Sequence, residues 1–247
     1  MATSGQAFRG LQSVADSWGP RFESGQGYHN PEVIQMMRSI SEQEIRALSK
    51  RFASAKPFPH VVIENFLDGN NVDKSRQAPA YGWDNHKRLL SELKRENFTK
   101  KDSDLFTFKQ TNNLFYSKNP VVAAAVTMFS SKQFAGVVSS ISGIRLKSGA
   151  VDVSGALYEK TDYLLCHDDK LEGRKIAYIA YLSDLKPIDG GSLRMFNIKA
   201  PLQPAKKITP RFNSFACFKV SGESLHDIEE AKSNKKRLTV GGWFNGD

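Results

Sequence analysis

Ala156 to Leu182 reads ALYEKTDYLLCHDDKLEGRKIAYIAYL. Two apolar runs, Ala156 to His167 and Lys175 to Leu182, are separated by a charged, glycine-containing loop, Asp168 to Arg174. Short runs rich in aliphatic and aromatic residues and broken by Gly, Pro or Asp are strand signals. The same texture continues outward, with Val151-Asp152-Val153 before this stretch and Ser192 to Phe196, Asn213 to Val220 and Arg237 to Phe244 after it. Ser221 to Ser224 reads as a further hairpin end. Short strands at this spacing imply a sandwich or barrel.

Upstream of Gly149 the texture is different. Ser41-Glu42-Gln43-Glu44 has the form of a capping box, and Ile45, Leu48 and Phe52 follow at helical spacing. Lys56-Pro57-Phe58-Pro59 ends that helix, and His60 to Phe66 (HVVIENF) reads as a strand. A basic helical pattern around His86 to Asn97 and a helix from Pro120 to Ser131 complete a largely helical half. The first thirty residues are rich in Gly, Ser and Gln without periodicity, and are expected to be a flexible tail. The expected organisation is that tail over 1–30 and one domain over 31–247. Within the domain, a helical buttress (31–148) packs on a mainly β barrel core (149–247). No internal repeat is present.

Composition sets outer limits. With 247 residues, 40% of them hydrophobic, the chain can bury a sizeable core. Thirty-five Lys and Arg against 26 Asp and Glu give +9, which suits an acidic or polyanion-bound partner; solubility explains it equally well. Two cysteines, Cys166 and Cys217, make no disulfide framework, which favours a reducing compartment. The opening MATSGQAFRG lacks the apolar run of a signal peptide. The longest apolar stretch, Val121 to Phe129, falls far short of the roughly 20 residues of a membrane span. The expectation is a cytoplasmic or nuclear protein with no membrane contact.

The chemistry begins at His167-Asp168-Asp169. On a strand, His167 and Asp169 project to one face while Cys166 and Asp168 point away. Taken alone, a strand-end His beside a solvated Asp is the plainer reading. His226, in Ser224-Leu225-His226-Asp227 after the Asn213 to Val220 strand, changes the balance. Two His and one carboxylate form the facial triad, which leaves positions open on Fe(II) for a bidentate oxo acid and dioxygen. Zinc hydrolases use the same ligand types, so the ligands alone do not name the metal. Arg237 discriminates: it opens the strand Arg237 to Phe244, and an inward Arg can form a bidentate pair with the distal carboxylate of 2-oxoglutarate. The competing reading is that Arg237 merely continues the surface run Lys235-Lys236.

The runs YLLCHDD, IAYIAYLSDLKPIDGGSLRMF, NSFACFKV, SLHDI and KRLTVGGWFNGD together resemble the prolyl-hydroxylase branch of the Fe(II)- and 2-oxoglutarate-dependent oxygenases. Within that branch they are most similar to the ribosomal-protein prolyl 3-hydroxylases. The resemblance spans roughly Pro57 to Asp247 and is strongest from Tyr158 onward. It implies a double-stranded β-helix (jelly-roll) core and a peptidyl-proline hydroxylase. Fe(II) would be held by His167, Asp169 and His226, with 2-oxoglutarate and dioxygen as co-substrates and ascorbate in support. It further implies that Tyr181 hydrogen-bonds the distal carboxylate beside Arg237, that Tyr158 sits near the oxo-acid end, and that Thr239 assists. Trp243, facing the same way as Arg237, would wall the pocket.

The chain departs from the branch in having Lys186-Pro187 where a Trp is usual and Ser192 in the Gly-Gly motif. Larger members of the ribosomal group carry a second, non-catalytic barrel. The implied substrate is a proline of the small-subunit ribosomal protein at the decoding centre, with no direct nucleic-acid partner required. That protein is strongly basic, so the pocket mouth is expected to be locally acidic through Asp162, Asp168, Glu172, Asp189 and Asp227. Three alternatives stay open: a prolyl 4-hydroxylase of a hypoxia-factor-like or collagen-like protein, a nucleic-acid demethylase, and a barrel that only binds.

Overall fold

Eleven strands join in one antiparallel sheet: β1 (His60–Glu64), β2 (Phe98–Ser103), β3 (Phe106–Thr111), β4 (Ser154–Tyr158), β5 (Tyr163–His167), β6 (Arg174–Tyr181), β7 (Leu193–Asn197), β8 (Ala200–Ile208), β9 (Ser214–Lys219), β10 (His226–Ile228) and β11 (Arg237–Asn245). They belong to a computed structural model that describes residues 36–68 and 85–246. The tail expected over 1–30 lies outside the described residues. Strand order is β1-β9-β6-β11-β4-β3-β5-β10-β7-β8, with β2 on the free edge of β3. The sheet turns its corner at β3, whose end pairs with β4 (Gln110 opposite Ala156) and whose start pairs with β5 (Phe106 opposite Leu164). A curled, mainly β jelly-roll core results, as the resemblance implies.

Strand alternation splits the apolar residues into two cores. On β6, Ile176, Tyr178 and Ala180 point outward to the helices, while Ala177 and Tyr181 point into the curl. On β9, Phe215 and Cys217 go outward and Ala216 and Phe218 inward; on β11, Leu238, Val240 and Phe244 go outward and Trp243 inward. Both faces of these strands are buried, so the sequence reads as near-continuous apolar runs rather than a clean alternation. Gly242 has a steric reason: a Cβ there would stand 1.9 Å from the Asp152 carbonyl oxygen.

The outer core is closed by α1 (Glu42–Ser54), α3 (Pro120–Ser130) and α4 (Lys132–Ser142), with α2 (Asn85–Leu93) beside them. Phe129 and Phe134 from the helices meet Phe66, Phe215, Tyr178 and Phe244, with Phe66 stacked on Phe215 at 4.7 Å. Ser41 caps α1 by accepting from Glu44 N–H at 3.2 Å. Only half of the capping box forms, because the Glu44 carboxylate pairs with Arg38 instead. No single helix among the described residues is long and apolar enough to cross a membrane.

The N-terminal half is less helical than expected. β1, β2 and β3 all come from before Gly149 and build into the sheet, so the boundary at 148/149 does not separate buttress from barrel. The β2 stretch FTKKDS is polar and half-exposed, and it is a strand because β3 supplies its hydrogen-bond partners from Phe98↔Thr111 to Ser103↔Phe106. β8 also escaped notice, because its residues from Ala200 to Lys207 are exposed and carry no apolar period.

Candidate active site

His167 is the last residue of β5 and His226 the first of β10; the two are cross-strand partners with ring centroids 4.2 Å apart. Each ring is held the same way: Nδ1 of His167 lies 2.9 Å from the Leu165 carbonyl, and Nδ1 of His226 lies 2.8 Å from the Ser224 carbonyl. A carbonyl only accepts, so both rings carry a proton on Nδ1, and in the neutral ring Nε2 is the lone pair. Asp169 completes the set, with Oδ1 3.3 Å from His167 Nε2 and Oδ2 3.3 Å from His226 Nε2. The three ligand atoms lie within 4.8 Å of one another, close enough for a single metal ion.

The route by which Asp169 reaches this point differs from strand alternation. β5 stops at His167, and Asp169 takes a left-handed conformation (φ 61°) in the following loop. The chain reverses there and turns the carboxylate back onto the two imidazoles. Asp168 is turned to other work: its side chain accepts from Lys170 N–H and its carbonyl accepts from Ser224 Oγ at 2.9 Å, tying the two ligand loops together.

A cavity runs inward from the triad between the two layers, lined among others by His167, Asp169, His226, Tyr158, Arg237 and Trp243. Arg237, 2% exposed, opens β11 opposite Tyr158. Among the described residues, its Nε and Nη2 meet no hydrogen-bond acceptor. Its guanidinium carbon lies 4.9 Å from the Tyr158 ring and 5.5 Å from the Tyr181 ring, and Tyr181 Oη is likewise buried with no hydrogen-bond partner among the described residues. The competing surface reading of Arg237 is thereby removed: Lys235 and Lys236 bind Asp189 and Glu159 outside, while Arg237 turns in. A buried guanidinium without a counter-charge is costly, so the floor of the cavity calls for an anion. A carboxylate matches the two free donors, with the Tyr181 hydroxyl beside them.

The remaining expected residues fall around this floor. Thr239 faces inward between Ala156 and Tyr181, its hydroxyl 3.4 Å from the Ala156 carbonyl. Burial raises the Tyr158 phenol; Arg237 opposes that shift and Asp169 adds to it, so this ring lies in the field of both ends of the cavity. Burial also raises the Tyr181 phenol against the pull of Arg237. Trp243 lines the cavity and carries the Arg174 guanidinium 3.4 Å above its ring. Arg174 gave no sequence signal, because a charged residue opening a strand is indistinguishable from loop charge. Gln110 and Ser154, polar residues that also line the cavity, were missed for another reason: Gln110 stands on β3, which the sequence does not reveal, and Ser154 falls between the runs Val151 to Val153 and Ala156 to His167.

The acidic mouth is not there. Of the five acids, Asp168 alone lines the cavity, alongside Lys170 and Arg174. Asp227 is held by a two-pronged ion pair to Arg194 (2.8 and 2.5 Å), Asp189 by Lys235 at 2.8 Å, and Asp162 accepts from Glu159 N–H. Sequence position placed these acids near barrel ends; only packing shows that basic neighbours neutralise Asp189 and Asp227.

The triad also fixes a pH dependence. Burial pushes the His167 imidazolium down, but the Asp169 carboxylate more than reverses this and leaves it above the usual histidine value. Burial pushes Asp169 up, and His226 and His167 outweigh that, holding it well below the usual carboxylate range. A raised folded-state histidine stabilises the metal-free protein below about pH 6.5, and that contribution fades as pH rises through the raised value. A metal ion must displace the same proton. The melting temperature gained on adding Mn(II) is therefore expected to grow with pH from about 6 upward. A gain that is flat across that window would remove His167 from the metal site.

Residues 153–245 match the sequence family described as the 2OG-Fe(II) oxygenase superfamily. Over 199 residues the chain is 39% identical to prolyl 3-hydroxylase OGFOD1 of Xenopus laevis, covering 77% of this chain and 35% of that protein. Over 225 residues it is 31% identical to prolyl 3,4-dihydroxylase OGFOD1 of Ostreococcus tauri, covering 82% and 41%. The chain thus spans between a third and a half of the length of these curated relatives. A Pseudomonas putida prolyl-4-hydroxylase shares the fold, with a TM-score of 0.62 at 18% identity over 82% of this chain and 99% of that one. The matched segment contains every triad residue and Arg237. Residues 153–245 thus match a 2OG-Fe(II) oxygenase domain.

Proposed function

We propose that the protein is a peptidyl-proline hydroxylase in which His167, Asp169 and His226 hold Fe(II) and Arg237, with Tyr181, holds 2-oxoglutarate. The observation that carries this reading is the pairing of a three-ligand cluster at the cavity mouth with an unpartnered, buried Arg237 at its floor. Fe(II), 2-oxoglutarate and dioxygen are the cofactor and co-substrates of the superfamily. When bound, they supply oxidative decarboxylation coupled to C–H hydroxylation, with succinate and carbon dioxide as co-products.

The chain's own residues bind, orient and exclude water. The carbonyls of Leu165 and Ser224 fix the imidazole tautomers, so that both Nε2 atoms face one point. Asp169 supplies the negative charge that a divalent cation needs. Arg237 and the Tyr181 hydroxyl receive the distal carboxylate, and Thr239 stands next along the same strand face. Phe218, packed edge-on to His226 at 4.6 Å, and the Trp243 ring give the cavity apolar surface that limits water there.

The proposed substrate is a prolyl residue of the small-subunit ribosomal protein at the decoding centre. Support comes from the resemblance of the ligand, Gly-Gly and Arg motifs and from relatives named as prolyl 3-hydroxylases. Without an acidic mouth, long-range attraction does not aid encounter between two basic proteins, and recognition rests on short-range contacts inside the cavity. Incubating the protein with Fe(II), 2-oxoglutarate and a peptide carrying that proline is expected to add one or two oxygens to the ring, read by tandem mass spectrometry. Reaction of hypoxia-factor-like or collagen-like peptides instead would move the substrate assignment. Oxidation of RNA would overturn the prolyl reading.

A further inference from the structure

Gln110 has a side chain that neither metal nor co-substrate binding uses. It lies near the end of β3, 4% exposed, and lines the cavity. One amide N–H makes a long contact of 3.4 Å to Ser154 Oγ, which itself reaches the Gly241 carbonyl at 3.5 Å. Its Oε1 accepts no hydrogen bond from a described residue. A primary amide carries two donors and an acceptor oxygen, so this buried group leaves most of its capacity facing the cavity. Unlike Tyr181 Oη, Oε1 is not fully enclosed, so it opens onto the cavity, where a ligand N–H can reach it.

Register locates that something. Gln110 and Thr239 both lie opposite Ala156, one row above the Arg237–Tyr158 pair. The next row towards Trp243 holds Ser154 opposite Gly241, where β11 has no side chain to fill the space. Gln110 therefore borders the gap between the anion floor and the Trp243–Arg174 end. An acceptor oxygen has nothing to offer a carboxylate, and the carboxylate demand is already met by Arg237. Donor and acceptor side by side match a peptide group. The bond preceding a proline has no N–H, whereas the bond following it offers both C=O and N–H.

We propose that Gln110 is a substrate-binding residue that takes up the peptide group on the C-terminal side of the target proline, donating to its C=O and accepting from its N–H. The proposal rests on the prolyl-hydroxylase reading. Gln110→Leu, of similar volume, is expected to raise the peptide KM about tenfold, as loss of neutral hydrogen bonds does, and to weaken peptide binding equally by anaerobic calorimetry. The 2-oxoglutarate KM and peptide-independent succinate formation are expected to stay unchanged. Replacing the amide after proline by an ester should cost the wild type several-fold and cost Gln110→Leu nothing more, since the two changes remove one interaction. Additive losses would overturn the assignment, as would an unchanged peptide KM or a raised 2-oxoglutarate KM. Failure of the wild type to hydroxylate any prolyl peptide would instead sink the reading on which it rests.

Discussion

Asp169→Ala is expected to abolish both metal retention and turnover while leaving the chain folded. Among the described residues, Asp169 is the one carboxylate within reach of both imidazole Nε2 atoms, at 3.3 Å from each. Losing a partner that merely orients a metal ligand costs roughly 10- to 100-fold in affinity or activity, and losing a ligand of a three-ligand site is expected to exceed that. No strand pairing is lost, because Asp169 stands in the loop after β5, although its left-handed conformation (φ 61°) costs alanine about 1 kcal/mol or more. Asp169→Gly makes the separation cleaner, since glycine adopts that conformation freely. It is expected to melt cooperatively and bind no Mn(II). Asp168→Ala, next along the chain, removes only an acceptor for Lys170 N–H and is expected to keep most activity. Equal loss from Asp168 and Asp169 would mean that the loop after β5 presents its carboxylates differently. Retained metal stoichiometry in Asp169→Ala would remove it from the ligand set.

The second large effect belongs to Arg237, and it has opposite signs with and without co-substrate. A charge-assisted pair contributes on the order of 1.5–3 kcal/mol, so Arg237→Met is expected to raise the 2-oxoglutarate KM by roughly one to two powers of ten. Arg237→Lys recovers part of this, because an ammonium lacks the planar fork. In the absence of co-substrate the same guanidinium is buried with two unpartnered donors, a burden that methionine does not carry. The co-substrate-free Arg237→Met protein is therefore expected to melt at or above the wild-type temperature. Adding 2-oxoglutarate, with Mn(II) present, should then stabilise the wild type alone. A variant that melts well below wild type, or one that 2-oxoglutarate still stabilises fully, would mean that Arg237 holds the fold rather than the co-substrate.

The strands that carry this chemistry were legible because they bury both faces. β6, β9 and β11 stand out as apolar runs, and the parity of β11 correctly turns Arg237, Thr239 and Trp243 to one side. The β2–β3 hairpin was not legible, since FTKKDS has neither period nor hydrophobicity and owes its shape to its partner. Gln110 was hidden with it.

The sequence by itself determined the residue types of the triad, their order along the chain, the inward parity of β11 and the mainly β core. These are local properties, set by a two-residue period and by turn residues at strand ends. Tertiary structure decided the rest. It set His167 opposite His226 across β5 and β10, and it turned Asp169 back onto both through a left-handed residue rather than an extended one. It also left Arg237 Nε and Nη2 without an acceptor among the described residues while giving Asp189 and Asp227 their basic partners. Whether a charge is free or neutralised depends on which distant strand packs beside it, and no local pattern encodes that.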